Sequence, residues 1–325
     1  MPWLLPDSSG VQVSENSELD SYPTDVDIAF LLEPHPPSPI TIKVTDAVYS
    51  VKAQPEDNWV WYAFAAFRLL ALDRLIRIRS FASIGCGAGV DAIGAAQIFP
   101  ELNKIIVTDV NQPIVDLAVS NIQKNVSPSV SLTGVAGDLC QPILELGQAA
   151  DVIYANLPTL PALADPVAEL DYKSFYAPTG DNSLPYHLVN CGLELQFRLL
   201  QSAKAILAPR ASVVLMIGDR FPPGVLESLA ELAGYHFSPL IAHLKSQSEV
   251  DVATSAYAAL EGTVQFDFYL YEEARQFLSI SPALPGISLK QRLAPYRLSA
   301  RDAHVAASKG KSIGHILYAI RAIPI

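Results

Sequence analysis

The sequence is short of cysteine, of basic charge and of long apolar runs. Its three cysteines, Cys86, Cys140 and Cys191, lie far apart and show no metal-ligand spacing. A disulfide framework and a zinc site are therefore not expected, no metal is called for, and a reducing cytoplasmic setting fits. Lys and Arg number 22 against 33 Asp and Glu, a formal net charge of −11. A protein that neutralises phosphates needs a basic surface, so nucleic acid is disfavoured as a partner. Arg68, Arg74, Arg77 and Arg79 alternate with Leu and Ile and read as a solvated helix face. No apolar run is long enough to span a bilayer. The longest, Trp59 to Leu72, is cut by Arg68 and followed by Asp73 and Arg74, and reads as a buried helix. The acidic N-terminus has no basic segment before an apolar core, so no secretory signal is expected. There is no internal repeat, no Gly-x-Ser-x-Gly elbow and no Gly-Lys-Ser/Thr after the glycine-rich turn.

What is present, in 325 residues that are 50% hydrophobic, suffices for one α/β domain with additions. Residues 1–39 are rich in Pro, Ser and acids and read as a loosely docked arm with a rigid connector from Glu33 to Pro39. Ile40–Val44 and Ala47–Val51 flank Thr45-Asp46, which predicts a β-hairpin. Pro55-Glu56-Asp57-Asn58 precedes a helix starting near Trp59. From residue 80, candidate strands (80–84, 104–108, 131–135, 152–155, 212–217) alternate with helices (92–99, 114–125, 187–207, 224–233). Phe237–His243 and Thr263–Tyr271 would add edge strands. This pattern predicts a Rossmann-like, mostly parallel seven-stranded sheet with helices on both faces. The expected division is 1–74 as arm, hairpin and helix covering a substrate, 75–275 as the ligand-binding domain, and 276–325 as a C-terminal extension.

The sharpest motif is Ser83-Ile84-Gly85-Cys86-Gly87-Ala88-Gly89-Val90-Asp91, between a strand and a helix. Its glycines permit a tight turn and close approach of backbone to ligand. A packing turn in any α/β fold would use the same device. Three later signals each follow their own strand. Asp109 lies 24 residues beyond Gly85, where a carboxylate can accept from both ribose hydroxyls; helix capping before Gln112-Pro113 is its plain alternative. Asp138, in Gly137-Asp138-Leu139, can accept an adenine amino group or simply form a turn. Asn156 ends the fourth strand in Asn156-Leu157-Pro158.

In this order, Gly85–Gly89, Asp109, Gly137-Asp138-Leu139 and Asn156-Leu157-Pro158 resemble the successive motifs of class I S-adenosylmethionine (SAM)-dependent methyltransferases. More narrowly, they are similar to the release-factor glutamine methyltransferase branch, whose fourth-strand motif is Asn-Pro-Pro-Tyr. Ala177–Tyr186 resembles the Gly-rich segment that follows that motif, and Gln54–Asn58 the Arg-Pro-Glu-Thr-Glu entry to the first helix. The likeness covers about residues 50–245. It implies SAM as cofactor, with Gly85, Cys86, Gly87 and Gly89 at its methionine part and Asp91 or Glu56 at its ammonium group. Asp109, with Val110 beside it, would hold the ribose, Asp138 and Leu139 the adenine, and Asn156 would orient the nucleophile. Leu157 and Thr159 depart from the family pattern. The amine acceptor survives, but the aromatic platform for a flat amide or base is missing, and Tyr154, two residues earlier on the same strand, would compensate in part. A small amine or amino acid is therefore the expected substrate.

Trp59, Trp61, Tyr62, Phe64 and Phe67 form an aromatic stripe that reads as core, with one ring available to face a sulfonium. Tyr172, Phe175 and Tyr176 lie in a long connection after the Asn motif, where substrate contact is expected, Tyr176 among the catalytic candidates. His187 is a general-base candidate or a helix-surface histidine. Two other readings stay open: a cyclase in which SAM's own amine expels methylthioadenosine, as in the methyltransferase-like azetidine-2-carboxylate synthases, and a non-catalytic SAM- or NAD-binding module.

Overall fold

Short β-branched runs alternating with amphipathic ones build a sheet wrapped by helices. The computed structural model describes residues 24–32, 36, 38–159, 184–248, 250–281 and 287–325. Two short strands, β1 (Thr24–Asp27) and β2 (Thr41–Val44), pair antiparallel as a separate ribbon. Among the described residues the main sheet holds nine strands. They are β3 (Ser80–Ile84), β4 (Lys104–Asp109), β5 (Ser131–Ala136), β6 (Ala150–Ala155), β7 (Leu207–Asp219), β8 (Tyr235–Ser246), β9 (Phe268–Leu270), β10 (Arg297–Leu298) and β11 (Ile313–Pro324).

Across the sheet the order runs β5-β4-β3-β6-β7-β11-β8, with β9 and β10 added beside β11. β3 to β7 pair parallel, and β11 is antiparallel to both its long neighbours. This is a Rossmann-like, mostly parallel order, the expected seven strands plus two short ones. Alternate residues face opposite layers. Phe81, Ile105, Val107, Val152 and Tyr154 join one core, while Ala82, Ile84, Ile106, Ile153 and Ala155 join the other. Trp59–Ala71, Val90–Ile98 and Gln112–Asn125 cover the first face; Glu194–Ala203, Val225–Ala233 and Ala300–Ser308 cover the second.

Five expectations are corrected. Ala47–Val51 is not a strand; β2 pairs with β1 instead. Asn58 holds the following turn through Lys52 N (2.8 Å), Lys52 O (3.0 Å) and Gln54 O (2.7 Å), so the backbone groups there are satisfied outside a ladder. The arm docks from Thr24 onward, with Ile28 and Leu31 fully buried in the core. The single helix expected over 187–207 is two, Tyr186–Asn190 and Glu194–Ala203, broken at left-handed Gly192 (φ +68°). Residues 276–325 are not an appendage, because they supply β11, which sits between β7 and β8. Of the four arginines read as a helix face, only Arg68 is on the helix, which ends at Ala71. Among the described residues, no helix is long and apolar enough to cross a membrane.

Candidate functional site

The strand order reverses at β3, with β4 on one side and β6 on the other, so the loops leaving β3 and β6 diverge and leave a crevice. A cleft of about 680 Å³ opens there, inside the range of roughly 300–1,000 Å³ usual for small-molecule sites.

The glycine loop forms one wall. Gly85, Gly87 and Gly89 have φ of +69°, +49° and +77°, a region open to glycine at little cost. The N–H groups of Gly85 and Cys86 both donate to Thr108 O (2.9 and 3.1 Å), latching the loop to the end of β4. A Cβ on Gly87 would meet nothing within 4 Å and would project into the cleft, as expected of a cradle kept clear for a ligand. A Cβ on Gly85 would lie 3.0 Å from Leu157 Cδ2, which shows how tightly the Asn156 segment packs on the loop. Gly89 does not line the cleft. It caps the helix Val90–Ile98 and lies against Ala118 and Ile122, so its part is to shape the turn. The buried Cys86 thiol lines the cleft with its pKa raised by burial.

Asp109, at the end of β4, faces this loop. Its carboxylate accepts from the amides of Asn111 (3.2 Å), Gly87 and Val110, while burial raises its pKa. Val110, 53% exposed, adds an apolar surface beside it. Asp91 is buried in the first turn of its helix, where the dipole favours an anion. It accepts a short hydrogen bond from Ser83 Oγ, and burial pushes its pKa up to about 6. Glu56 is not among the cleft-lining residues.

Asp138 and Leu139 line the cleft on the β5 side. Leu139 has φ +49°, an uncommon conformation for a non-glycine residue and one found at functional sites. The Asp138 carboxylate is already paired with Arg198, from the helix Glu194–Ala203. An adenine amino group would therefore share this carboxylate with a guanidinium.

Asn156 is exposed at the end of β6 and lines the cleft. The carbonyls behind it are occupied: buried Gln196 donates to Leu157 O (3.3 Å) and Pro158 O (2.9 Å). Thr159 O accepts from Tyr257 Oη at 2.5 Å. Tyr154 is a core ring, 4% exposed, edge-on to Phe67 (5.2 Å between centroids) and stacked near Phe81 (6.3 Å), with its pKa raised by burial. It reaches the cleft wall without offering an open aromatic platform. Of the aromatic stripe, Tyr62, Phe64 and Phe67 are core and Trp59 lines the cleft. Tyr172, Phe175, Tyr176 and residues 177–183 lie outside the described residues. His187 is exposed, bonded to Ser228 Oγ (2.9 Å), and does not line the cleft.

Several residues escaped the sequence reading. Asn121 ties the N-terminal ribbon to the loop: its Oδ1 accepts from Lys43 N (2.7 Å), and its Nδ2 donates to Lys43 O (2.8 Å) and Ala88 O (3.0 Å). Arg220 and Tyr257 line the cleft from the far side, and Arg198 lines it beside Asp138. Arg220 carried a readable signal, because Gly218-Asp219-Arg220 follows a candidate strand just as Asp109 and Asn156 do. Asn121 and Tyr257 sit within helices and carry no comparable local mark.

Residues 66–180 match the family model of ribosomal protein L11 methyltransferase (PrmA). No curated protein matches the sequence. Among solved structures, the chain is similar to a ribosomal protein L11 methylase from Lactobacillus delbrueckii subsp. bulgaricus, at 15% identity and a TM-score of 0.34 over 55% of this chain and 70% of that one. It is also similar to a precorrin-6y C5,15-methyltransferase from Geobacter metallireducens GS-15, at 13% identity and a TM-score of 0.37 over 79% and 87% of the two chains. The methyltransferase family match implies SAM as the cofactor.

Proposed function

We propose that this chain is a SAM-dependent methyltransferase acting on a small amine. The observation that carries the reading is the meeting, in one cleft, of the Gly85–Gly89 loop, the Asp109 carboxylate facing that loop's amide, and Asn156 packed beside it through Leu157. The cleared space at Gly87 and the carboxylates of Asp91 and Asp109 fit a cofactor that carries an ammonium group and a ribose diol. When bound, SAM supplies an electrophilic methyl group on a sulfonium.

The chain's own residues bind, align and desolvate. Asp109 accepts from vicinal hydroxyls, Asp91 takes the ammonium group, and Val110 and Leu139 cover the base. Asn156 accepts from the N–H of the incoming amine and so aims its lone pair. The carbonyls of Leu157 and Pro158 each already accept from Gln196, which makes the Asn156 side chain the less engaged acceptor at this strand end. Thr159 stands where the release-factor branch carries an aromatic residue, which favours a small amine over a flat amide.

Calorimetric titration with S-adenosylhomocysteine (SAH) tests the cofactor assignment without turnover. Saturable binding that Asp109→Ala weakens is expected, and unchanged affinity in that variant would overturn the ribose role. Mass spectrometry of products then tests the chemistry. SAH formed only with an added small amine supports the reading. Methylthioadenosine released from SAM alone refutes it, as does methylation confined to a protein substrate.

A further inference from the structure

The far wall of the cleft holds a buried guanidinium that no carboxylate matches among the described residues. Arg220 follows β7, is 4% exposed and lines the cleft. Its acceptors among the described residues are all neutral: Gln247 Oε1, taking from Nε (3.1 Å) and Nη2 (2.7 Å), Gly218 O from Nη1 (3.4 Å), and the Tyr257 hydroxyl. The fork also sits over the rings of Tyr257 (5.4 Å) and Phe268 (5.9 Å). Gly218 makes room for it, since a Cβ there would fall 2.3 Å from Arg220 Nη1.

The neighbouring acids are engaged elsewhere. Asp219 binds Lys290 (2.9 Å), and Asp267 contacts Lys290 (3.6 Å) and Arg297 (3.5 Å). Lys245 interacts with it electrostatically and Lys52 lines the same cleft, both of its own sign, while burial beside Arg220 and Lys245 holds His315 neutral. Against them stands Asp57, whose Oδ1 accepts from Ser246 Oγ (2.9 Å). A buried charge normally has an opposite charge beside it, and a planar fork matches a carboxylate in two-point contact. An acidic chain has thus placed a cationic pocket at one end of its cleft.

The geometry points to Arg220 as the anchor for a carboxylate on the methyl acceptor, making the substrate a small amino acid. The amine half of this statement rests on the proposed methyltransferase reading; the carboxylate half rests on Arg220 alone. Asn156 and Arg220 follow adjacent parallel strands, β6 and β7, about 5 Å apart; β7 overhangs by four residues, but the Arg220 fork turns back to Gly218 and so lies about two residues, roughly 7 Å, beyond the level of Asn156. An amine and a carboxylate separated by a few bonds would span them. The glycine loop lies one strand farther away, on β3, which favours the acceptor's carboxylate over that of the cofactor.

The test is calorimetry on the full chain with glycine, β-alanine and 4-aminobutanoate, each against its primary amide, with SAH saturating. At least one acid should bind tenfold or more tighter than its amide. Arg220→Gln should remove that preference while SAH affinity stays within twofold. Arg220→Lys, which keeps charge and bulk but loses the fork, should weaken the acid about tenfold and guards against misfolding of the Gln variant. Equal binding of acid and amide, an unchanged acid affinity in Arg220→Gln, or no acid binding at all would overturn the proposal. So would an Arg220→Gln variant that loses SAH affinity but keeps methylthioadenosine affinity, because the arginine would then hold the cofactor's own carboxylate. If the wild-type chain does not bind SAH, the methyltransferase reading fails; the acid-over-amide comparison, repeated without SAH, still decides the role of Arg220.

Discussion

The two walls of the cleft are built in different ways. The near wall comes from consecutive strand–loop–helix units: β3 into Gly85–Gly89 and Val90–Ile98, then β4 into Asp109 and Gln112–Asn125. Each functional group there sits next to the strand that positions it, and the charged groups are acids. The far wall is assembled from separated stretches: Arg220 after β7, Gln247 after β8, Tyr257 on Val250–Leu260, and His315 on β11 behind Trp59. Its charges are mainly basic and its members meet only because β11 returns between β7 and β8. Local units can carry a general binding device from protein to protein, whereas a wall made of distant pieces is specific to one chain. The difference matches a shared cofactor at one end and a particular substrate at the other.

The hardest blow to this contrast would be removal of β11. A chain truncated before Ile313 leaves the inner edges of β7 and β8 unpaired and opens both cores. It should lose its cooperative thermal transition and its SAH binding together. SAH binding that survives truncation would show the near wall to be an independent unit, sharpening the contrast beyond what the packing supports.

Next in size is Asp109→Ala. It removes a carboxylate placed for two charge-assisted hydrogen bonds, each worth about 1.5–3 kcal/mol, so SAH affinity should fall at least a hundredfold. Because burial already penalises that carboxylate, the melting temperature should hold or rise. A large loss of stability instead would recast Asp109 as a structural cap.

Acidification should separate binding from stability at the same wall. Burial raises the Asp91 pKa from 3.8 to about 6, so its carboxylate is lost as pH falls through 6 and SAH affinity should decline there. The sign for stability is opposite. A raised carboxylate pKa means that the folded state takes up its proton first, so the contribution of Asp91 to folding improves as pH falls from 7 towards 5. Asp91→Asn should flatten both dependences. An SAH affinity that ignores pH between 7 and 5 would remove Asp91 from the ammonium site.

The smallest effect belongs to Arg198→Ala. The Arg198–Asp138 pair is partly exposed, and such pairs contribute at most about 1 kcal/mol. Stability should change little, and SAH affinity should shift less than tenfold as Asp138 is freed. A larger loss would make Arg198 part of the near wall's binding surface.

Much of the near wall was legible because its signals are local. The glycine spacing, Asp109 and Asp138 each follow a strand that shows as a short apolar run, and parallel strands place such ends together along one edge of the sheet. Misreadings arose where distance along the chain mattered. Ala47–Val51 has β composition but joins no strand ladder, because β2 is taken by β1 and Asn58 satisfies the backbone at Lys52. Tyr154 shares the strand face expected for it, yet Phe67 and Phe81 hold its ring in the core. The run Ile313–Pro324 reads from sequence only as part of the C-terminal extension, because nothing within it says that it lies antiparallel between β7 and β8.

By itself, then, the sequence determined the alternating strands and helices, the glycine turn and the order of strand-end polar residues, since these depend on backbone freedom and periodicity over a few residues. Tertiary structure alone decided that the last strand completes the sheet, that Asn121 ties the N-terminal ribbon to the glycine loop, and that Arg220 is buried at the cleft with no opposing charge among the described residues. Those outcomes depend on which distant groups exclude water from one another, and no local window of sequence contains both partners.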